Sequence, residues 1–202
     1  MTQKERMLAE LPYKAWLDGL AEERLRTNRK IYKYNHCKPQ QMRKKKKLVR
    51  RILGKAGEPV TIEAPFYCDY GYNIEIGDDF FANFNLVILD VARVRIGSHV
   101  QCGPHVSIIT AGHPVHYKSR NSGYEYGIPV TIGNNVWLGS NCVINPGVRI
   151  GDNSVIGAGA VVTRDMPDNV IAAGVPCSVL RTITEQERPY YFKDRVFDVS
   201  DF

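Results

Sequence analysis

Several things this chain lacks narrow what it can be. No run of eighteen or more apolar residues occurs in its 202 residues, so a membrane-spanning helix is not expected. Its first residues are polar and charged rather than signal-peptide-like, and a soluble, cytoplasmic protein is expected. The five cysteines, Cys37, Cys68, Cys102, Cys142 and Cys177, form no Cys-x-x-Cys pair, which argues against a zinc site and against a disulfide framework. Apolar residues in the second half return neither every three or four positions, as on an amphipathic helix, nor every two, as on a half-buried strand.

They return every six. Ile132, Leu138, Ile144, Ile150, Ile156 and Val162 fall six apart without a slip, and Ile96, Cys102 and Ile108 already hold the same phase. One aliphatic per hexad is the pattern of a parallel β-helix, in which short strands stack coil on coil. A second register carries Val136, Cys142, Val148, Ser154 and Ala160, with Gly133, Gly139, Gly151 and Gly157 one residue after the aliphatics. The expectation is that these glycines supply positive φ at the corners. An earlier set, Ile76, Ala82 and Ile88, keeps the period but is out of phase by two, which predicts an irregular early coil or a bulged corner.

Charge divides the chain. The first 55 residues hold 17 Lys and Arg against 5 Asp and Glu, a net +12, and the remainder holds 10 against 16, a net −6. Thr2 and Glu5 fit a capping box, and apolar residues from Met7 to Tyr34 follow at roughly helical spacing. Met42, Val49, Ile52 and Leu53 mark a further helix that ends near Gly54. It carries seven basic residues between Arg43 and Arg51, read as a solvated face opposite its apolar stripe. The expected organisation is a basic helical segment over 1–57, the solenoid over 58–181 with a loop at 109–131, and a cap over 182–202.

That loop stands where the hexads lapse. The phase holds from Ile108 to Ile132, yet Gly112-His113-Pro114-Val115-His116 and the residues up to Pro129 follow no hexad. Rigid scaffolds carry function on such excursions. His113 is the candidate general base, because imidazole can take a proton from a hydroxyl near neutral pH. Glu125 is the candidate to orient its ring, and His116 is read as a supporting or exposed residue. Trp137 precedes Leu138 in a regular coil, so strand alternation turns it outward, where a tryptophan needs a ligand, a partner or the loop to pack on. Asn83 and Asn85 read as polar corner residues.

Tyr70-Gly71-Tyr72-Asn73-Ile74, Ala82-Asn83-Phe84-Asn85, the His113 segment, Ile132-Gly133-Asn134-Asn135-Val136-Trp137-Leu138-Gly139, Ile144-Asn145-Pro146-Gly147-Val148 and Ala173-Gly174-Val175-Pro176-Cys177 resemble, in that order, the bacterial sugar O-acetyltransferases of the galactoside and maltose type. The resemblance implies a left-handed parallel β-helix, a homotrimer with active sites between subunits, acetyl-CoA as donor, a sugar hydroxyl as acceptor, and no metal. It assigns His113 as base, Asp69 and Asn83 to the acceptor side, and Trp137, Ser140, Ala158, Thr163, Arg164 and Arg181 to the coenzyme, with the Ser140 N–H a candidate oxyanion donor. Galactoside enzymes carry acidic residues that contribute to acceptor binding at the positions of Val91 and Ala15; Asp18 lies close to the second and is placed on the acceptor side. Two rival readings stand beside this one. A zinc solenoid of the γ-type carbonic anhydrase kind would use His99, His105, His113 and His116, with His99 and His105 stacked on one face. A nucleic-acid-binding trimer would use the basic helix; no nucleic-acid partner is expected on the main reading.

Overall fold

The computed structural model describes residues 1–199 and 201. Its strands are two to five residues long, and in the solenoid every third strand pairs with the same neighbours in parallel, which wraps the chain around three sheets. Face 1 stacks Lys55–Ala56, Ile74–Ile76, Val94–Ile96, Val130–Ile132 and Arg149–Ile150. Face 2 stacks Val60–Ile62, Phe80–Ala82, Gln101–Cys102, Trp137–Leu138, Val155–Ile156 and Val170–Ala173. Face 3 stacks Phe66–Cys68, Leu86–Leu89, Ser107–Ile109, Val143–Ile144 and Val161–Val162. The expected parallel β-helix is therefore present.

The six-residue period advances the chain by one face, and three hexads bring it back one coil higher. Ile132 thus lies on Ile150, Leu138 on Ile156 and Ile144 on Val162. These aliphatics are buried, each contributing about 1.5–3 kcal/mol of transfer free energy. One consequence corrects an expectation: residues six apart sit on successive edges and do not stack. His99 occupies the edge between faces 1 and 2, with Nδ1 3.0 Å from Asp79, whereas His105 lies on the edge between faces 2 and 3, beside Asn85.

The corners also differ from expectation. Gly133, Gly139, Gly151 and Gly157 do not adopt positive φ; Asn135, Asn141, Asn153 and Asn169 do, as do Gly147 and Gly159. Asn enters the left-handed region more readily than most residues. The hexad glycines serve close approach instead: a Cβ on Gly139 would lie 2.6 Å from the Ala158 nitrogen of the next coil. Along the edge between faces 1 and 2, side chains stitch coil to coil. The N–H groups of Asp78, Ser98, Asn134 and Asp152 donate in turn to the side chains of Ser98, Asn134, Asp152 and Asp168.

The early phase offset is a bulged corner. Between Cys68 and Ile76, and again between Ile88 and Ile96, the chain takes eight positions where a regular side takes six. Both enlargements fall on the edge between faces 3 and 1. The loop leaves the same edge one coil later, adding eighteen residues to the turn from Ile96 to Ile132.

Helices α1 (Gln3–Leu8), α2 (Leu20–Asn35) and α3 (Met42–Ile52) precede the coils. The capping box at Thr2 and Glu5 is present. Ile31 and Tyr34 of α2 and Val49 and Ile52 of α3 join the solenoid core at its first coil. Asn35 exchanges two hydrogen bonds with the Phe66 backbone, at 2.9 and 3.0 Å. The other face of α3 holds exposed cations, of which Lys46 and Arg50 pair with Glu58. At the far end, Ser178–Thr182 pairs antiparallel with Val170–Ala173, while the hairpin Tyr190–Phe192 and Arg195–Val196 stays exposed. Among the described residues no helix is long and apolar enough to cross a membrane.

Candidate functional site

Three enlarged corners lie one above another on the edge between faces 3 and 1, and buried polar groups join them. The N–H groups of Asp69 and Tyr70 donate to Asp90 Oδ1 at 3.0 and 2.9 Å, and Asn73 Nδ2 donates to the Asp90 carbonyl at 2.7 Å. One coil on, buried Thr110 donates to the Leu89 carbonyl at 2.6 Å and accepts from the Ala92 N–H at 2.9 Å. Asp90 is fully buried, its Oδ2 has no partner among the described residues, and burial raises its pKa to about 7. Asp69 is half-buried. Its pKa is raised by burial and by the charge of Glu125, against the lowering effect of Arg24.

From this stack the loop projects. Its base is a two-residue antiparallel ladder, Ala111–Gly112 against Tyr126–Gly127, and it contains a short helix, α4 (Tyr117–Asn121). His113 follows the ladder directly and is exposed, with no hydrogen bond on its ring among the described residues. His116 caps α4 and stacks on Tyr117. Glu125 does not bond His113 here: its Oε1 accepts from the Tyr13 hydroxyl. Asp18 is exposed and accepts from the Gln3 N–H at 2.7 Å, which fastens it to the start of α1. Val91 and Ala15 are buried with Met7, Tyr13, Leu20 and Tyr70 in a small apolar cluster.

Other candidates lie on a different edge. Asn83, Ser140 and Ala158 stack at the corners between faces 2 and 3, and Trp137, 55% exposed, stands on face 2 beside Gln101 and Val155. The N–H groups of Ser140 and Ala158 donate no hydrogen bond among the described residues. Their counterparts between faces 1 and 2 are all satisfied, so these two free donors set edge 2–3 apart. Asn83 Oδ1 accepts from the Phe84 N–H at 2.8 Å. Thr163 and Arg164 return to edge 3–1, exposed, and Arg181 is paired with Glu187 at 2.6 Å. A single chain therefore brings His113, Glu125 and Asp69 to one edge and Asn83, Ser140 and Ala158 to another. Among the described residues no group of three His, Cys, Asp or Glu side chains is placed to hold a metal.

Sequence reasoning missed Tyr13, Arg24, Asp90 and Thr110. The phase slip at Ile76, Ala82 and Ile88 was the signal for the enlarged corners, but nothing local marked the groups that fasten them.

Residues 129–164 match the bacterial transferase hexapeptide model, six repeats, and residues 6–57 match the maltose acetyltransferase hexapeptide capping motif. The galactoside O-acetyltransferase of Escherichia coli K12 is 49% identical over 194 residues, covering 96% of each chain. The chain belongs to the galactoside and maltose O-acetyltransferase family. Its fold agrees with that of two solved family members. A galactoside acetyltransferase in complex with coenzyme A superposes with a TM-score of 0.94 at 48% identity, covering 98% of this chain and 100% of that one. A maltose O-acetyltransferase from Clostridium difficile 630 gives 0.90 at 44%, covering 92% and 99%.

Proposed function

We propose that the protein transfers the acetyl group of acetyl-CoA to a hydroxyl of a galactoside-, glucoside- or maltose-like sugar, in sites shared between the protomers of a homotrimer. The observation that carries the reading is the full-length match to a galactoside acetyltransferase whose structure holds coenzyme A. The unsatisfied N–H groups of Ser140 and Ala158 beside exposed Trp137 supply a surface suited to a thioester and its pantetheine arm.

His113 takes the proton of the acceptor hydroxyl as its oxygen attacks the thioester carbonyl. The Ser140 N–H donates to the developing oxyanion, a role in which a fixed donor is worth roughly 10²- to 10³-fold in rate. The carbon–sulfur bond then breaks, and the imidazolium returns its proton to the departing thiolate. Glu125 orients the ring through Oε2, which accepts no hydrogen bond among the described residues. Asp69, Asn83 and Asp18 hold the sugar, while Thr163, Arg164 and Arg181 face the coenzyme, the guanidinium groups suiting its phosphates. His113 and Ser140 stand on different edges, so a site in which one protomer's loop meets its neighbour's Ser140 and Ala158 would unite them, and this favours the shared site.

Thiol release from acetyl-CoA tests the reading, with galactosides, glucosides, maltose and thiogalactosides as acceptors. His113→Ala is expected to lower kcat by ~10²- to 10⁴-fold. No release with any acceptor, or full activity in the variant, would refute it.

A further inference from the structure

Residues 9–19, which the helical spacing ran together with their neighbours, form an irregular strap between α1 and α2 that lies along the loop. Tyr13 is fully buried. Its N–H donates to the Glu125 carbonyl at 2.9 Å, the Glu125 N–H donates to the Tyr13 carbonyl at 3.0 Å, and its hydroxyl donates to Glu125 Oε1. The contacts continue antiparallel beyond the bridge. The Lys14 ammonium lies 5.0 Å from the Tyr124 ring centroid, and the Trp16 ring covers Gly123, where a Cβ would fall 2.8 Å from one indole carbon.

The strap is itself tied down. Lys14 N–H donates to Gln3 Oε1 at 2.7 Å, and Arg6 Nε donates to the Pro12 carbonyl at 2.6 Å. Burial and the adjacent carboxylate keep the Tyr13 phenol protonated, so it stays a donor. The anchored carboxylate in turn acts electrostatically on Asp69, and Arg24, which donates to the Tyr70 hydroxyl at 2.7 Å, closes the group.

We propose that Tyr13 is a positioning residue: the strap carrying it fixes Glu125, and with it the loop bearing His113, making the N-terminal segment a wall of the acceptor site. This deepens the acetyl-transfer reading and rests on it. A loop glutamate otherwise samples several rotamers, and one hydroxyl donor plus two backbone bonds removes that freedom. The effect belongs to the acceptor half of the reaction, since the clamped carboxylate acts on the acceptor candidate Asp69, whereas the coenzyme candidates Ser140 and Ala158 lie on another edge and Thr163 and Arg164 follow a strand two coils further along the same one.

Tyr13→Phe keeps the ring, the burial and the backbone bridge and deletes only the donor. It is expected to lower kcat/KM for the sugar by about 10- to 100-fold, a loss of transition-state stabilisation, with KM for acetyl-CoA unchanged. In a cycle with Glu125→Gln, the double variant should be no slower than Glu125→Gln alone, because Tyr13 acts through that carboxylate. Losses that multiply, or a Tyr13→Phe enzyme equal to wild type, overturn the proposal. Hydrogen exchange over residues 111–127 reads the clamp without catalysis: faster exchange in Tyr13→Phe supports it, and unchanged exchange overturns it. A wild-type protein inactive on every acceptor would instead sink the acetyl-transfer reading, with exchange still deciding the clamp.

Discussion

Asp90 places a carboxyl group where water does not reach, with one oxygen accepting from two backbone N–H groups and the other without a partner among the described residues. An acid whose folded pKa lies above its unfolded value keeps its proton in the folded state between the two. The stability contributed by that protonated form is full below about pH 4 and is lost as the pH rises through about 7. Wild type should therefore lose stability relative to Asp90→Asn across that window, because the amide retains an acceptor for both N–H groups and cannot ionise. Denaturant midpoints of both proteins at several pH values between 4 and 8 check this. Parallel curves would mean that Asp90 titrates as an ordinary surface acid. Such residues were illegible in the sequence because their partners lie far off: Asp90 meets Asp69 twenty-one positions away, and Tyr13 meets Glu125 over a separation of 112.

At the scale of the element, the coil spacing explains why two kinds of glycine share one sequence. Gly139 faces the next coil's backbone, and any side chain there overpacks a contact between main chains. Gly159 has φ +73° and open space where a Cβ would point. Gly139→Ala is expected to cost about 1–3 kcal/mol, whereas Gly159→Asn, which accepts the left-handed conformation, should be nearly neutral. Equal losses in chemical denaturation would contradict the distinction. The hexads made the strands legible because burial repeats strictly with the aliphatics. The corner chemistry was misassigned because a glycine kept for conformation and one kept for proximity look the same in a sequence. The loop's position was legible from the lapse in phase; its ladder, α4 and the strap across it were not, since two-residue pairings leave no period.

For the whole molecule, the separation of His113 from Asn83 and Ser140 has a quantitative consequence. If each site takes its base from one protomer and its edge 2–3 residues from the next, His113→Ala and Asn83→Ala each silence every site of a pure trimer. Dissociated and reassembled together in equal amounts, they should recover about a quarter of the wild-type activity, the random fraction of sites with both contributors intact. Absence of recovery, in assemblies proven mixed by mass, would place the whole site within one protomer.

The foot of the loop is closed as tightly as any coil. Ile128 N–H donates to the Thr110 carbonyl at 2.9 Å, and the two-residue ladder above it seals the remaining gap. The helical stack below continues as though nothing had been added, so the segment between Gly112 and Tyr126 behaves as an exchangeable cassette. On the proposed acetyl-transfer reading, acceptor range would diversify by replacing that cassette together with the stretch of N-terminal chain that grips it, outside the buried ladder of aliphatics.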